Sequence, residues 1–228
     1  TQNGYNFPTA FQDILPVLAD ADLTLMNFEG NVCGAPFGTQ SASAPMELLY
    51  ALRNAGVDLV QAANSHSILH GLLGLRSTLD GIREAGMEPV GAFYDKAEFQ
   101  KSGGYVLREV QGIRIAIVAF TKGMDGMGLP ANGENCVNLL YKDYNSTYQK
   151  VDSEGISKIL RNISYEQPDV TIALVHWGSE YNDNISKTQN QIQELLLSGG
   201  VDAIFRCGYR EYVSRRCFAE IRRRYEGV

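Results

Sequence analysis

Three short polar segments carry the residue types that could perform chemistry, and each follows an apolar run of the chain. They begin at Asn27-Phe28-Glu29-Gly30, Asn64-Ser65-His66 and His176-Trp177-Gly178. Imidazole nitrogen, carboxylate and amide oxygen together suit borderline divalent ions such as Mn, Fe, Co or Zn, whereas an acid-rich loop would favour Ca. The chemistry that these residues predict is metal-assisted hydrolysis, in which a bound ion activates water.

Each of these residues also has a structural interpretation. A histidine at the end of a strand is often only a hydrogen-bonded structural residue. Asn27 and Asn64 could satisfy loop backbone groups, and Trp177 and Tyr181 are expected to pack rather than to react. The coincidence of all three residue types favours a site, because two of only three histidines follow strand-like runs.

Strand-like and helix-like segments alternate along the chain. Apolar, β-branched runs predict strands at Asp22–Phe28, Val57–Ala63, Pro89–Ala92, Ile113–Phe120, Asp169–Val175 and Val201–Phe205. Apolar residues at three- and four-residue spacing predict helices over Met46–Asn54, Leu72–Glu84, Glu154–Ile163 and Ser186–Leu197. This alternation indicates a mostly parallel α/β sheet covered on both faces. Ligands bind at the carboxyl ends of such strands, so Asn27, Glu29, Asn64, His66 and His176 should converge there.

The composition is that of one folded domain. The 228 residues are 44% hydrophobic and 20% charged, which is enough apolar material for a substantial core. A net charge of −6 argues against nucleic acid as the main partner. No apolar stretch approaches the roughly 20 residues of a membrane-spanning helix, so the sequence predicts a soluble chain and leaves its localisation open.

The segments around the polar residues resemble the CapA family of poly-gamma-glutamate capsule biosynthesis proteins, which are related to calcineurin-like metallophosphatases. The matching segments are Ala21–Gly30, Ala55–His66 with Gly71–Leu75, Gly112–Ala116, and His176–Tyr181 with Gln189 downstream. Their order and spacing agree over about residues 20–205. The resemblance implies an α/β fold, a metallophosphatase-like layered sandwich with mostly parallel strands. It also implies a role in the synthesis or export of an anionic gamma-glutamyl polymer.

The resemblance assigns roles to individual residues. The implied metal ligands are Asn27, Glu29, Asn64 and His176. His66 is implied to protonate the leaving group as a general acid, and Glu180 is a second catalytic candidate. The implied cofactor is a divalent metal, Mn, Fe or Zn. The implied partners are an anionic gamma-glutamyl polymer or a phosphoester substrate, and a membrane-bound synthesis complex at the extracytoplasmic cell envelope.

Two functions remain open at this point. The first is a metal-dependent, phosphoesterase-like hydrolase, and the second is a non-catalytic accessory subunit that holds polymer or partner proteins in the same cleft. The family usually opens with a strand ending in Gly-Asp and closes with a His-x-His motif. This sequence starts downstream of the former, has Arg206–Arg210 in place of the latter, and has Leu69 and His70 where the family has Asp and an aromatic residue. We therefore expect a fold incomplete at both ends, weak binding of about one ion, and poor hydrolysis.

Residues 206–228 differ in composition from the rest of the chain. They contain seven Arg, no Lys and three Glu, a net charge of +4, which leaves −10 on residues 1–205. The apolar spacing fits a basic amphipathic helix. A divergent or frame-altered terminus and a contact with a membrane surface or an anionic polymer are the alternatives. We expect a domain over 1–205 and a peripheral Arg-rich tail, because buried guanidinium groups need partners.

Overall fold

The computed structural model describes residues 5, 7, 9–178 and 184–207. Its helices are α1 (Leu15–Ala19), α2 (Met46–Asn54), α3 (Gly71–Glu84), α4 (Lys96–Ser102), α5 (Ser153–Glu166) and α6 (Lys187–Ser198). Its strands are β1 (Leu25–Asn27), β2 (Leu59–Gln61), β3 (Glu88–Val90), β4 (Val106–Val110), β5 (Ile113–Thr121), β6 (Val170–His176) and β7 (Ala203–Cys207). Every predicted helix and strand has a counterpart among them, so the α/β class is confirmed.

The strands form two sheets, each from a continuous stretch of chain. One sheet has the order β1-β2-β3 and is parallel throughout. The other has the order β4-β5-β6-β7, in which only the β4 to β5 pair is antiparallel. The unpredicted strand β4 joins β5 through Gln111 and Gly112, whose φ angles of 51° and 81° make a tight hairpin turn.

Apolar residues fill three layers of core around these sheets. Along β5, Ile117 and Ala119 face the first sheet and contact a cluster that includes Leu59. The alternate residues Val118 and Phe120 face the cluster beneath α5 and α6. The outer face of the first sheet packs against α2 and α3. Each sheet therefore buries one face against the other sheet, and the predicted layered sandwich of mostly parallel strands is confirmed.

The two sheets are in close contact at Gly91, which follows β3. Its φ is 83°, and a Cβ atom there would lie 2.6 Å from the carbonyl oxygen of Ala119 and 2.7 Å from the Cβ of Ala63. Asn138 fastens the contact, since its backbone N–H donates to the Gly91 carbonyl (2.9 Å) and its Nδ2 donates to Ala119 (3.1 Å) and Gly104 (2.8 Å). Only glycine satisfies both the backbone conformation and the space at position 91.

The last strand extends further than predicted. Strand β7 pairs in parallel with β6 up to Arg206 opposite Val175 and Cys207 opposite His176, so the expectation that pairing ends at position 205 is wrong by two residues. The Arg206 guanidinium lies 5.7 Å from the ring centroid of Trp177, which stabilises its charge at the end of the sheet. The rest of the Arg-rich tail, 208–228, lies outside the described residues.

Replacing Gly91 should test the sheet-to-sheet contact. We expect Gly91→Ala to lower the free energy of unfolding by about 3 kcal/mol, the sum of left-handed strain and overpacking. Gly126→Ala is the matched control, because Gly126 has a similar φ of 77° but no atom within 4 Å of the added methyl group; it should cost about 1 kcal/mol. Urea denaturation measures both values, and equal losses would show that the close approach is unimportant.

Candidate metal-hydrolase site

The predicted site residues follow strands that belong to both sheets. Asn27 is the last residue of β1, and Glu29 lies two positions beyond it. Asn64 and His66 lie in the turn after β2, and His176 is the last residue of β6. Because β1 and β2 belong to the first sheet and β6 to the second, these side chains can meet only where the two sheets meet.

Asn64 organises the first-sheet half of the site. It is 1% exposed, and its Nδ2 donates to the carbonyl of Phe28 (2.7 Å) and to Oδ1 of Asn27 (3.1 Å). Its own Oδ1 accepts from the backbone N–H of His66 (2.9 Å). Asn27 in turn donates from Nδ2 to Oε1 of Glu29 (2.6 Å). A continuous chain of hydrogen bonds therefore runs from the His66 backbone through both amides to the carboxylate.

Serine side chains close the turn that carries Asn64. Ser67 Oγ donates to the carbonyl of Ala62 (2.6 Å) and accepts from the backbone N–H of Asn64 (2.9 Å). Ser65 Oγ lies 3.1 Å from Nδ1 of His66. Sequence reasoning did not predict either serine as a site residue, although small hydroxyl residues in a tight turn are a recognisable signal.

Glu29 lies between the two histidines. Its Oε2 is 3.8 Å from Nδ1 of His66, and its Oε1 is 3.6 Å from Nδ1 of His176. Both distances are too long for hydrogen bonds. Two ligands that are each about 2.1 Å from one ion lie about 3.0 to 3.6 Å apart, which is close to these separations. The structure thus brings the five predicted residues together, and their roles as ligands or acid stay predictions.

His176 is buried in a form that suits metal ligation. Burial lowers the pKa of its imidazole; the nearby charges of Lys122 and His66 lower it further, while Glu29 opposes them. Among the described residues, Nδ1 of this ring has no hydrogen-bond partner. Burial thus favours the neutral imidazole, the form in which histidine can ligate a divalent ion.

The described residues around Glu29 and His176 offer few donors for a metal ion. In the part of the chain that the structure describes, no group of three or more His, Cys, Asp or Glu side chains could hold a metal ion. The amide oxygens of Asn27 and Asn64 already accept hydrogen bonds. The strongest neighbouring donors are therefore Glu29 and His176, which suit a first-row ion whose remaining positions water would fill.

Lys122 is a functional candidate that sequence reasoning missed. It directly follows β5, so the argument from strand ends could have found it. Its backbone N–H donates to the carbonyl of His176 (2.8 Å) and its ammonium group donates to the carbonyl of Gly178. The same ammonium lies 5.6 Å from the ring centroid of Tyr148. Lys122 therefore places a positive charge directly beside the end of β6.

Other residues singled out in the sequence lie away from this cluster. His70 does not join it, because its Nε2 lies 2.6 Å from the carbonyl oxygen of Ser41. Trp177 packs in the core under α5 and α6, as expected. Gln189 has a structural role, since it completes the capping box at the start of α6. The catalytic candidate Glu180 lies outside the described residues.

Two facing sheets with a carboxylate, amides and histidines at one edge define a metallophosphatase-like fold. This chain matches a crystal structure from Staphylococcus aureus with a TM-score of 0.56. That protein is provisionally assigned as a 5′-nucleotidase and was solved in complex with alpha-ketoglutarate. The match covers 90% of this chain and 41% of that one, at 14% sequence identity. At this identity the likeness concerns the fold alone.

The chain belongs to the family of the bacterial capsule synthesis protein PGA_cap, which matches residues 1–207. The capsule biosynthesis protein CapA of Bacillus anthracis is 27% identical over 209 residues, which are 89% of this chain and 48% of that protein. The PGA biosynthesis protein CapA of Bacillus subtilis strain 168 is 25% identical over 199 residues, 85% and 49% of the two chains. The chain thus spans about half the length of these curated relatives. The family resemblance that the motifs predicted is confirmed.

Removing the Asn64 amide should destabilise the site and the fold together. We expect Asn64→Ala to lower the free energy of unfolding by about 2 to 3 kcal/mol, because it leaves the Phe28 carbonyl and the His66 N–H without their partner. Asn54→Ala is the control, since Asn54 is exposed at the end of α2. Chemical denaturation of both variants measures the difference, and a loss no larger than the control's would contradict the role of Asn64.

Proposed function

We propose that this chain acts in the synthesis or export of an anionic capsule polymer of the poly-gamma-glutamate type, as a metal-dependent hydrolase of the phosphoesterase class. The observation that carries the proposal is the placement of the Glu29 carboxylate 3.6 Å from the buried Nδ1 of His176, which has no hydrogen-bond partner among the described residues. Membership of a capsule synthesis family supplies the biological context.

The chain's own residues divide the work of such a reaction. Glu29 and His176 would hold one divalent ion, and Asn64 would keep Asn27 and Glu29 in place through its hydrogen bonds. When bound, the ion polarises the scissile ester and activates water. The side chain of His66 is 23% exposed, so it is accessible to a substrate and would donate a proton to the leaving group.

A specific observation favours a second candidate, a non-catalytic accessory subunit that holds polymer. The side-chain oxygens of Asn27 and Asn64 each accept a hydrogen bond within the protein. Among the described residues, no group of three or more His, Cys, Asp or Glu side chains could hold an ion. In this case the same edge binds polymer and performs no hydrolysis. Metal binding and turnover discriminate the two candidates.

The proposed place of action is the cell envelope, where capsule polymer is assembled. None of the helices among the described residues has the length and apolar composition needed to cross a bilayer. The proposed partner there is a membrane-bound synthesis complex.

Metal titration tests the proposed site directly. We expect calorimetry with Mn²⁺ or Zn²⁺ to show one ion per chain, and His176→Ala to weaken binding about tenfold or more, because it removes a direct donor. His70→Ala is the matched control, since that ring bonds a backbone carbonyl outside the cluster. Equal affinities of the two variants would rule out His176 as a ligand, and two tightly bound ions would contradict the single-ion site.

Turnover of a generic phosphodiester tests the hydrolase assignment. We expect slow, Mn²⁺-dependent hydrolysis that falls about 100-fold or more in His66→Ala, because general-acid catalysis contributes this much. The His70→Ala protein should keep the parent rate. Metal binding without any turnover in the parent protein would decide for the accessory subunit.

A further inference from the structure

Ser65 is a buried serine in the turn after β2, and its hydroxyl reaches the ring of its neighbour. The residue is 5% exposed, and its Oγ lies 3.1 Å from Nδ1 of His66. The backbone of this turn is fixed, because the N–H of His66 donates to Oδ1 of Asn64 (2.9 Å) and the N–H of Leu69 donates to the carbonyl of His66 (3.1 Å). The backbone that carries both side chains therefore holds the hydroxyl beside the ring.

A carboxylate oxygen approaches the same ring nitrogen. Oε2 of Glu29 is 3.8 Å from Nδ1 of His66. The other oxygen, Oε1, accepts a hydrogen bond from Nδ2 of Asn27 (2.6 Å), which fixes the orientation of the carboxylate. Two oxygen atoms, one from a hydroxyl and one from a carboxylate, therefore lie near Nδ1.

These two oxygens decide which nitrogen of His66 carries the proton when the ring is neutral. A neutral imidazole has one N–H donor and one acceptor nitrogen, and the hydrogen bond made at one nitrogen sets the role of the other. The negative charge of Glu29 favours a proton on Nδ1, because a bare lone pair there would face the carboxylate. The Ser65 hydroxyl can rotate to accept from that N–H, at a separation that is normal for a hydrogen bond. Nε2 is then the nitrogen that can exchange a proton with a substrate.

We infer that Ser65 is a positioning residue for the proposed general acid: its hydroxyl accepts from Nδ1–H of His66 and so directs Nε2 towards the leaving group. In the transfer step, the Nε2–H bond of the imidazolium breaks and its electron pair stays on Nε2. The leaving oxygen, whose bond to phosphorus breaks, takes the proton. The ring becomes the neutral Nδ1–H tautomer, so the serine keeps the same partner throughout. The inference rests on the proposed function, because it concerns the acid of that reaction.

The tautomer of His66 can be measured without any reaction. Nitrogen-15 NMR in metal-free buffer with chelator distinguishes a protonated ring nitrogen from a bare one, at an alkaline pH where the chain's three imidazoles are neutral. The spectrum of His66→Ala assigns the signals. We expect the Nδ1–H form in the parent protein, and a tautomer ratio that falls several-fold or more in Ser65→Ala, because the accepting hydroxyl is lost.

Ser43→Ala is the matched control for this measurement. Ser43 is 4% exposed, and its Oγ donates to the carbonyl of Gly34 (2.7 Å) outside the cluster. The substitution therefore removes an equally buried hydroxyl and should leave the His66 tautomer unchanged. A parent ring that carries its proton on Nε2, or the same tautomer ratio in Ser65→Ala as in the control, would overturn the inference.

Turnover separates positioning from a structural role. We expect Ser65→Ala to lower the kcat of phosphodiester hydrolysis about tenfold with little change in KM, because a general acid acts in the transition state. In a His66→Ala background the same substitution should have no further effect, since Ser65 acts only through that ring. Ser43→Ala should keep the parent kcat. Equal losses from Ser65→Ala in both backgrounds would show a structural role and contradict the inference.

A pair of variants with the same shape keeps the test valid if Ser65→Ala fails to fold. Ser65→Thr keeps the hydroxyl and should keep the Nδ1–H tautomer, whereas Ser65→Val replaces that hydroxyl by a methyl group and should lose the preference. The inference fails if both variants show one tautomer ratio. Because the tautomer is read without metal or substrate, a ring set by Ser65 in a protein without turnover would sustain the positioning role and refute only the hydrolase.

Discussion

The close contact between the two sheets is the constraint on which the rest of this structure depends. Gly91 allows the backbones to approach where any side chain would collide with Ala119, and Asn138 ties the end of β3 to β5. Glu29 follows a strand of one sheet and His176 ends a strand of the other. Their separation of 3.6 Å is therefore set by how the sheets pack rather than by either sheet alone.

The two halves of the site are held in place by different means. His176 ends the strand that lies between β5 and β7, so backbone ladders on both sides fix its position. Glu29 lies in an irregular segment without strand pairing. The amide of Asn27 donates a hydrogen bond to its carboxylate, and the amide of Asn64 holds Asn27 in turn. His176 is therefore held by backbone hydrogen bonds, and Glu29 is held by side-chain hydrogen bonds. The carboxylate is the more adjustable of the two groups, which suits ligation of an ion.

Much of this arrangement could be predicted from the sequence, and the failures have physical causes. Helix α2 has the predicted bounds, and the rule about strand ends found five residues that the structure brings together. The layered sandwich followed from the family resemblance and not from the apolar pattern, because a buried apolar run looks the same whichever sheet it joins. The extension of β7 was missed because Arg206 looked like a surface residue, whereas its guanidinium lies over Trp177. Lys122 was missed because the search at strand ends was limited to metal-ligand residue types, although this lysine directly follows β5.

The origin of each sheet from a continuous stretch of chain has a consequence for how the protein matures. Residues 25–90 supply the strands of the first sheet and residues 106–207 those of the second, so in the described part of the chain no strand of one half pairs with a strand of the other. The site exists only after the halves dock, and neither half alone offers both Glu29 and His176. An ion bound at the proposed site would by mass action stabilise the docked state alone, so metal supply would act as a checkpoint on the last step of folding.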